Sequence, residues 1–113
     1  MTVTIYHNPR CSKSRQTLDL LRGQGIEPVI VEYLKTPADA AELKRLLGLL
    51  GLPPRKLLRA KEAAEAGLDD SALSDDALIA GMVANPVVIE RPIVVAGDKA
   101  ALGRPPEAVL EIL

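Results

Sequence analysis

The chain opens with alternating β-branched and aromatic positions over residues 2–7, and the alternation stops at Asn8-Pro9. That pattern predicts a strand with a hard end. From Ser12 to about Gly23 the period changes. Leu18, Leu20 and Leu21 gather on one side of a helix, and Gly23 and Gly25 supply its C-terminal glycines. A second strand is predicted over 28–33, and a strand–helix–strand run of this length makes the two strands parallel. Thr36-Pro37-Ala38-Asp39 reads as a helix start, with Thr36 as N-cap and Pro37 in the first helical position. Leu43, Leu46, Leu47 and Leu50 follow as one apolar stripe, which Gly51 closes. Residues 53–66 are basic and Ala-rich and predict one or two short helices. Ser74, followed by Asp75 and Asp76, caps a further helix whose face is Leu78, Ile79, Met82 and Val83, ending at Asn85-Pro86. A short β-branched strand over 92–96, a turn at Gly97-Asp98 and a returning strand over 99–103 make a hairpin. Pro105 and Pro106 then open a last helix with Val109, Ile112 and Leu113 inward.

The order is β-α-β, a helical block, then β-β-α, with helices available for each face of one mixed sheet of about four strands. The expectation is one α/β domain in which residues 37–85 form a helical insertion between two halves. A length of 113 residues suits one domain and is too short for two independent cores.

Composition narrows the function. Hydrophobic residues are 48% and charged residues 26% of the chain, values of an ordinary globular protein. The formal net charge of −1 argues against a protein that binds nucleic acid backbone. A single Cys rules out an intramolecular disulfide, and with a single His it cannot build a conventional structural zinc site. The N-terminus lacks the basic and apolar regions of a signal peptide, and the longest apolar run, 87–96, is broken by Glu90, Arg91 and Pro92. The expectation is a cytoplasmic protein without membrane association. No extra apolar stripe stands out, so a monomer is expected.

The chemistry gathers in the loop His7-Asn8-Pro9-Arg10-Cys11-Ser12-Lys13-Ser14-Arg15. Cys11 falls between the first strand and the first helix, where free N–H groups and the helix dipole stabilise a thiolate. Arg10, Lys13 and Arg15 add positive charge, and the same N–H groups can cradle an oxyanion. The alternative is a buried, inert Cys. Ser14 lies one helical turn on, with its hydroxyl expected to face the sulfur; serine is also common in first turns. His7, the only imidazole, either assists the thiol or bonds to local backbone, and spacing alone does not choose between these. Arg59, Arg91 and Arg104 are candidate oxyanion ligands, each more readily read alone as a solvated surface charge. The Arg91-Pro92 bond, at a strand start, is a candidate for the cis form.

The combination resembles the glutaredoxin-linked arsenate reductase family. The matching stretches are TIYHNPRCSKSRQTL (4–18), EPVIVEYLKTP (27–37), LLR (57–59), ERPIVV (90–95) and GRPPEAVLEIL (103–113). The resemblance spans nearly the whole chain and is strongest to a compact subgroup without the C-terminal extension of the longer reductases. It implies a thioredoxin-like three-layer fold with a helical insertion. It implies that Cys11 is the nucleophile, that Arg59, Arg91 and Arg104 hold the oxyanion, and that His7, Ser14 and Arg15 surround the thiolate. Pro92 matches the cis-proline that such folds place beside the active Cys. No bound cofactor is implied; glutathione is the co-substrate, arsenate the oxyanion and glutaredoxin the protein partner that clears a Cys–glutathione disulfide. The family often has Ala-Cys-Gly-Thr around the nucleophile, where this chain has Arg10-Cys11-Ser12-Lys13, a more cationic setting.

Two other functions compete. One is a single-cysteine thiol oxidoreductase of the same fold, acting on a glutathionylated protein or small disulfide. The other is a non-enzymatic RNA-polymerase-binding regulator. Related regulators use a Cys-x-x-Cys switch, and Ser14 in the second position removes it here.

Overall fold

The computed structural model describes residues 2–113. Its backbone gathers into two compact units, one made of the chain up to Thr36 together with Arg91–Leu113, the other of Pro37–Glu90.

The first unit is built on a four-stranded sheet. The strands are β1 (Val3–Tyr6), β2 (Val29–Val31), β3 (Ile93–Ala96) and β4 (Lys99–Leu102), in the order β2-β1-β3-β4. β1 pairs with β2 in parallel and with β3 antiparallel, and β3 and β4 form the antiparallel hairpin expected around Gly97-Asp98. The sheet is therefore mixed and four-stranded, as the sequence predicts. Helix α1 (Ser12–Gly23) connects β1 to β2. Leu18 and Leu21 of α1 pack with Val3, Ile5, Val94, Ala96 and Val109 to form the core of this unit. Leu20, the third leucine of the expected face, is only partly buried.

β2 is shorter than the expected 28–33. It is an edge strand paired on one side only, with Val29 and Ile30 exposed, and the chain turns away at once because the N–H groups of Lys35 and Thr36 both donate to the Glu32 carbonyl. The last helix is also different. Pro106–Ile112 forms a 3₁₀ helix, with three residues per turn, so Val109 and Ile112 share the inward face while Leu113 is exposed.

The second unit contains α2 (Ala40–Leu50), a 3₁₀ turn at Pro54–Leu57, α3 (Ala60–Glu65), α4 (Asp75–Ala84) and a 3₁₀ turn at Pro86–Val88. Leu43, Leu46, Leu47, Leu57, Leu78, Ile79, Met82 and Val88 are buried. Val83, expected on the same face, is 36% exposed. Gly51 ends α2 with φ 67°, the left-handed conformation that favours glycine. Ser74 caps α4 by accepting from the Ala77 N–H. The start of α2 departs from expectation: its N-cap is Asp39, whose carboxylate accepts from Glu42 N–H at 2.8 Å, and not Thr36. Asp39-Ala40-Ala41-Glu42 repeats the capping signature three residues later, with a charged acceptor in place of a hydroxyl. No helix among the described residues is long and apolar enough to cross a membrane.

Candidate active site

Strand pairing sets which loops share one end of the sheet. Tyr6 pairs with Val31 of β2 and with Ile93 of β3, and Ile93 pairs in turn with Leu102 of β4. The segments beginning at His7, Glu32 and Gly103, and the segment ending at Pro92, therefore all leave the sheet at the same end. Local chemistry alone does not disclose that His7, Arg91 and Arg104 belong together; the register does.

The cysteine loop is braced by its own polar groups. His7 N–H donates to Val31 carbonyl, extending the β1–β2 pairing by one residue. Asn8 Oδ1 accepts from Arg10 N–H at 3.0 Å, and Cys11 N–H donates to the Asn8 carbonyl. Arg15 Nη1 reaches back to the Pro9 carbonyl at 2.9 Å. Cys11 is the N-cap of α1. Its side chain makes no capping bond and the first turn carries no acidic residue. The thiol thus occupies the position where a helix ordinarily takes an oxygen acceptor, and a thiolate there meets the unpaired N–H groups of the first turn. Cys11 is free and buried.

Ser14 is fully buried, at 0% exposure. Its Oγ lies 2.6 Å from His7 Nδ1 and accepts from Asn8 N–H at 3.0 Å. This buried hydroxyl thereby has partners in both His7 and Asn8. The His7 ring is accordingly bonded to a side chain and not to local backbone. Burial pushes the His7 pKa below its ordinary value of 6.5, with Glu32 opposing and the Arg22 and Arg15 charges adding to the fall. A neutral imidazole leaves one ring nitrogen bare. If that nitrogen is Nδ1, the Ser14 hydroxyl donates to it; if Nδ1 carries the proton, the Ser14 hydroxyl proton is released to another acceptor.

Arg91 is 8% exposed, and its Nε and Nη1 are buried without a hydrogen-bond partner among the described residues. Its own carbonyl accepts from Arg104 Nε at 2.8 Å, and Gly103 N–H donates to the Pro92 carbonyl. The Arg91-Pro92 and Arg104-Pro105 bonds are both cis. Gly103 is pressed between α1 and the proline: a Cβ built on it would meet Thr17 Oγ1 and Pro92 Cγ.

Arg59 belongs to the second unit. It is the N-cap of α3, its N–H donates to Val88 carbonyl, and its guanidinium pairs with Glu62 at 3.3 Å and Glu90 at 3.9 Å. These two carboxylates were not singled out from the sequence. Glu62 at i+3 is a readable helical pairing, whereas Glu90 comes near only through the Leu58–Ile89 bridge. Glu32 and Gly103 carry no such local signal. Asn8 lies in the chemistry-bearing loop and ends its strand, where Asn commonly folds its side chain onto the backbone two residues on. No group of three or more His, Cys, Asp or Glu side chains that could hold a metal occurs among the described residues.

The chain is similar to known proteins along its length. The chain is 60% identical over 114 residues to the protein YfgD of Escherichia coli (strain K12), covering 98% of this chain and 96% of that one. It is 50% identical over 115 residues to an arsenate reductase of Rhizobium meliloti (strain 1021), covering all of this chain and 82% of the relative. The solved structure of an arsenate reductase from Vibrio cholerae superposes with a TM-score of 0.96 at 56% identity, covering 100% of this chain and 98% of that one. The model of the ArsC family matches residues 6–112, from the end of β1 through the final 3₁₀ helix, and the protein is a member of the ArsC family.

Proposed function

We propose that this protein reduces arsenate to arsenite, with Cys11 as nucleophile and Arg91 as the principal ligand of the oxyanion. The buried guanidinium of Arg91 carries the reading. A cation with two unpartnered donors out of water costs several kcal/mol, by order of magnitude, and a bound oxyanion supplies the missing acceptors. Arg104, tied to the Arg91 carbonyl, supports that loop and adds positive charge to it. The family resemblance assigns Arg59 to the same task. His7, Ser14 and Arg15 hold the loop in which the thiolate forms.

In the first step the Cys11 thiolate attacks arsenic and a hydroxyl of arsenate leaves as water, its proton supplied from solvent; arsenic stays in the +5 state. A glutathione thiolate then attacks the Cys11 sulfur. The sulfur–arsenic bond breaks, its electron pair stays on arsenic, and arsenite departs in the +3 state. The two electrons come from the two thiols, now joined as a Cys11–glutathione disulfide. A glutaredoxin thiol takes the glutathione and frees Cys11. This scheme needs only one cysteine in the chain, which is what the sequence contains. A disulfide substrate carries no oxyanion to fill the donors of Arg91, so the plain thiol-oxidoreductase reading leaves that group unexplained.

The test is arsenate-dependent NADPH oxidation, coupled through glutathione, glutathione reductase and glutaredoxin. Turnover is expected to require arsenate and glutaredoxin and to vanish in Cys11→Ser. Arg91→Ala should lower kcat/KM by about 10²–10³-fold. A folded wild type with alkylatable Cys11 and no turnover above the buffer blank would overturn the reading.

A further inference from the structure

We propose that Thr17 is a positioning residue: its hydroxyl, packed against Gly103, sets the loops of Arg91 and Arg104 against the helix that begins at Cys11. The inference rests on the proposed function, because it concerns how the oxyanion ligands are held relative to the nucleophile.

A threonine inside a helix ordinarily faces water or turns its hydroxyl onto its own backbone. Thr17 does the second and is nonetheless fully buried, at 0% exposure. Its Oγ1 donates to the Lys13 carbonyl at 2.8 Å, in the first turn of α1. That bond gives the buried hydroxyl its partner and fixes which way the side chain turns. Oxygen and methyl both lie against Gly103. A Cβ on that glycine would meet Thr17 Oγ1, and would sit 3.1 Å from Thr17 Cγ2 and 2.7 Å from Pro92 Cγ. The space that a side chain would take at position 103 is thus filled by Thr17 and by the buried Pro92 ring.

Two hydrogen bonds carry this contact to the arginines. Gly103 N–H donates to the Pro92 carbonyl at 3.0 Å, and Arg104 Nε donates to the Arg91 carbonyl at 2.8 Å. The 91–92 and 103–104 segments are therefore tied together, and Thr17 is where they rest on α1, all within the first unit. Cys11 is the N-cap of that same helix. A shift at Thr17 alters where an oxyanion on Arg91 meets the thiolate, and a misplacement of about 1 Å costs on the order of 10²-fold in rate. The hydroxyl itself is what the joint needs. Valine has the outline of threonine, but its second methyl is larger than Oγ1 and gives the Lys13 carbonyl no donor. Serine keeps the oxygen and its bond and gives up only the methyl. Alanine is a better helix former than threonine, so a loss in Thr17→Ala does not come from helix propensity.

Two experiments separate this proposal from the reading beneath it. In the reductase assay, Thr17→Val and Thr17→Ala should each lower kcat with arsenate at least about tenfold, while Thr17→Ser stays within about threefold of wild type. Alkylation of Cys11 by iodoacetamide should stay within about twofold of wild type in all three variants, because bonds from Asn8, Ser14 and Arg15 brace the cysteine loop independently of Thr17. Without arsenate, amide hydrogen exchange followed by NMR reads the joint directly. Gly103 N–H should exchange about tenfold faster in Thr17→Val and Thr17→Ala, with the amides of β1 and β3 unchanged and Thr17→Ser close to wild type. Selective loss of Gly103 protection in a protein whose wild type does not turn over arsenate would sink the arsenate reading and keep the joint. Wild-type kcat and Gly103 exchange in Thr17→Val would overturn the joint. So would a fall in alkylation equal to the fall in kcat, or faster exchange shared by β1 and β3, since either marks a general loss of structure.

Discussion

At the scale of the residue, the decisive feature is a polar group with nowhere to go. Arg91 was one of three equivalent arginines in the sequence, and burial without a partner singles it out. Ser14 is the opposite case, a buried hydroxyl with both neighbours satisfied. Ser14→Ala strands Asn8 N–H and His7 Nδ1, so it should lower stability by about 1–3 kcal/mol and slow Cys11 alkylation by loosening the loop. Equal stability and equal alkylation rate in the variant would show that the pair does not hold the loop. His7 adds a pH dependence. Its folded pKa is below the ordinary 6.5, so as pH falls through that value the unfolded chain takes up a proton that the folded chain refuses. Stability linked to His7 is complete above about 6.5 and declines below it, until His7 protonates in the folded state too. Urea midpoints should therefore drop between pH 7.5 and 5.5, and drop less in His7→Asn; an identical slope in the variant would assign the effect elsewhere.

At the scale of the element, each helix start shows what its first turn needs. α1 begins on a thiol with no capping bond, an arrangement that leaves N–H groups for an anion, whereas α2 and α4 begin on Asp39 and Ser74, which cap them. Asp39→Ala should cost about 1 kcal/mol, and Thr36→Ala close to nothing, in a chemical denaturation series. A reversed ranking would restore Thr36 as the cap. Where α1 has no cap, bonds from Asn8 and Arg15 brace the loop that leads into it.

At the scale of the whole molecule, the proposed function draws on one end of a sheet. The register of β1 with β2 and β3, and of β3 with β4, delivers the cysteine loop, Glu32, Arg91 and Arg104 to that end. Gly103 shows how tightly the loops are set. A methyl group there collides with Thr17 of α1 and the Pro92 ring. Gly103→Ala should therefore shift the loops that carry Arg91 and Arg104 and reduce kcat/KM in the reductase assay at least tenfold, with a stability loss of about 1–3 kcal/mol. Full activity in that variant would mean that the arginine loops tolerate displacement.

Local pattern determined much of this protein. The period change after Asn8-Pro9 placed α1, Gly51 and Ser74 marked real helix boundaries, Gly97-Asp98 marked the hairpin, and the position of Cys11 at a helix start was legible from spacing alone. These features depend on dihedral preference and neighbours within a few residues, which the chain carries wherever it folds. Tertiary structure decided the rest. It shortened β2 because an edge strand pairs on one side only. It gave the Ser14 hydroxyl to His7, brought Glu90 to Arg59, and left Arg91 Nε and Nη1 buried without a hydrogen-bond partner among the described residues. Those outcomes depend on desolvation and on through-space partners, and neither exists until the chain has folded.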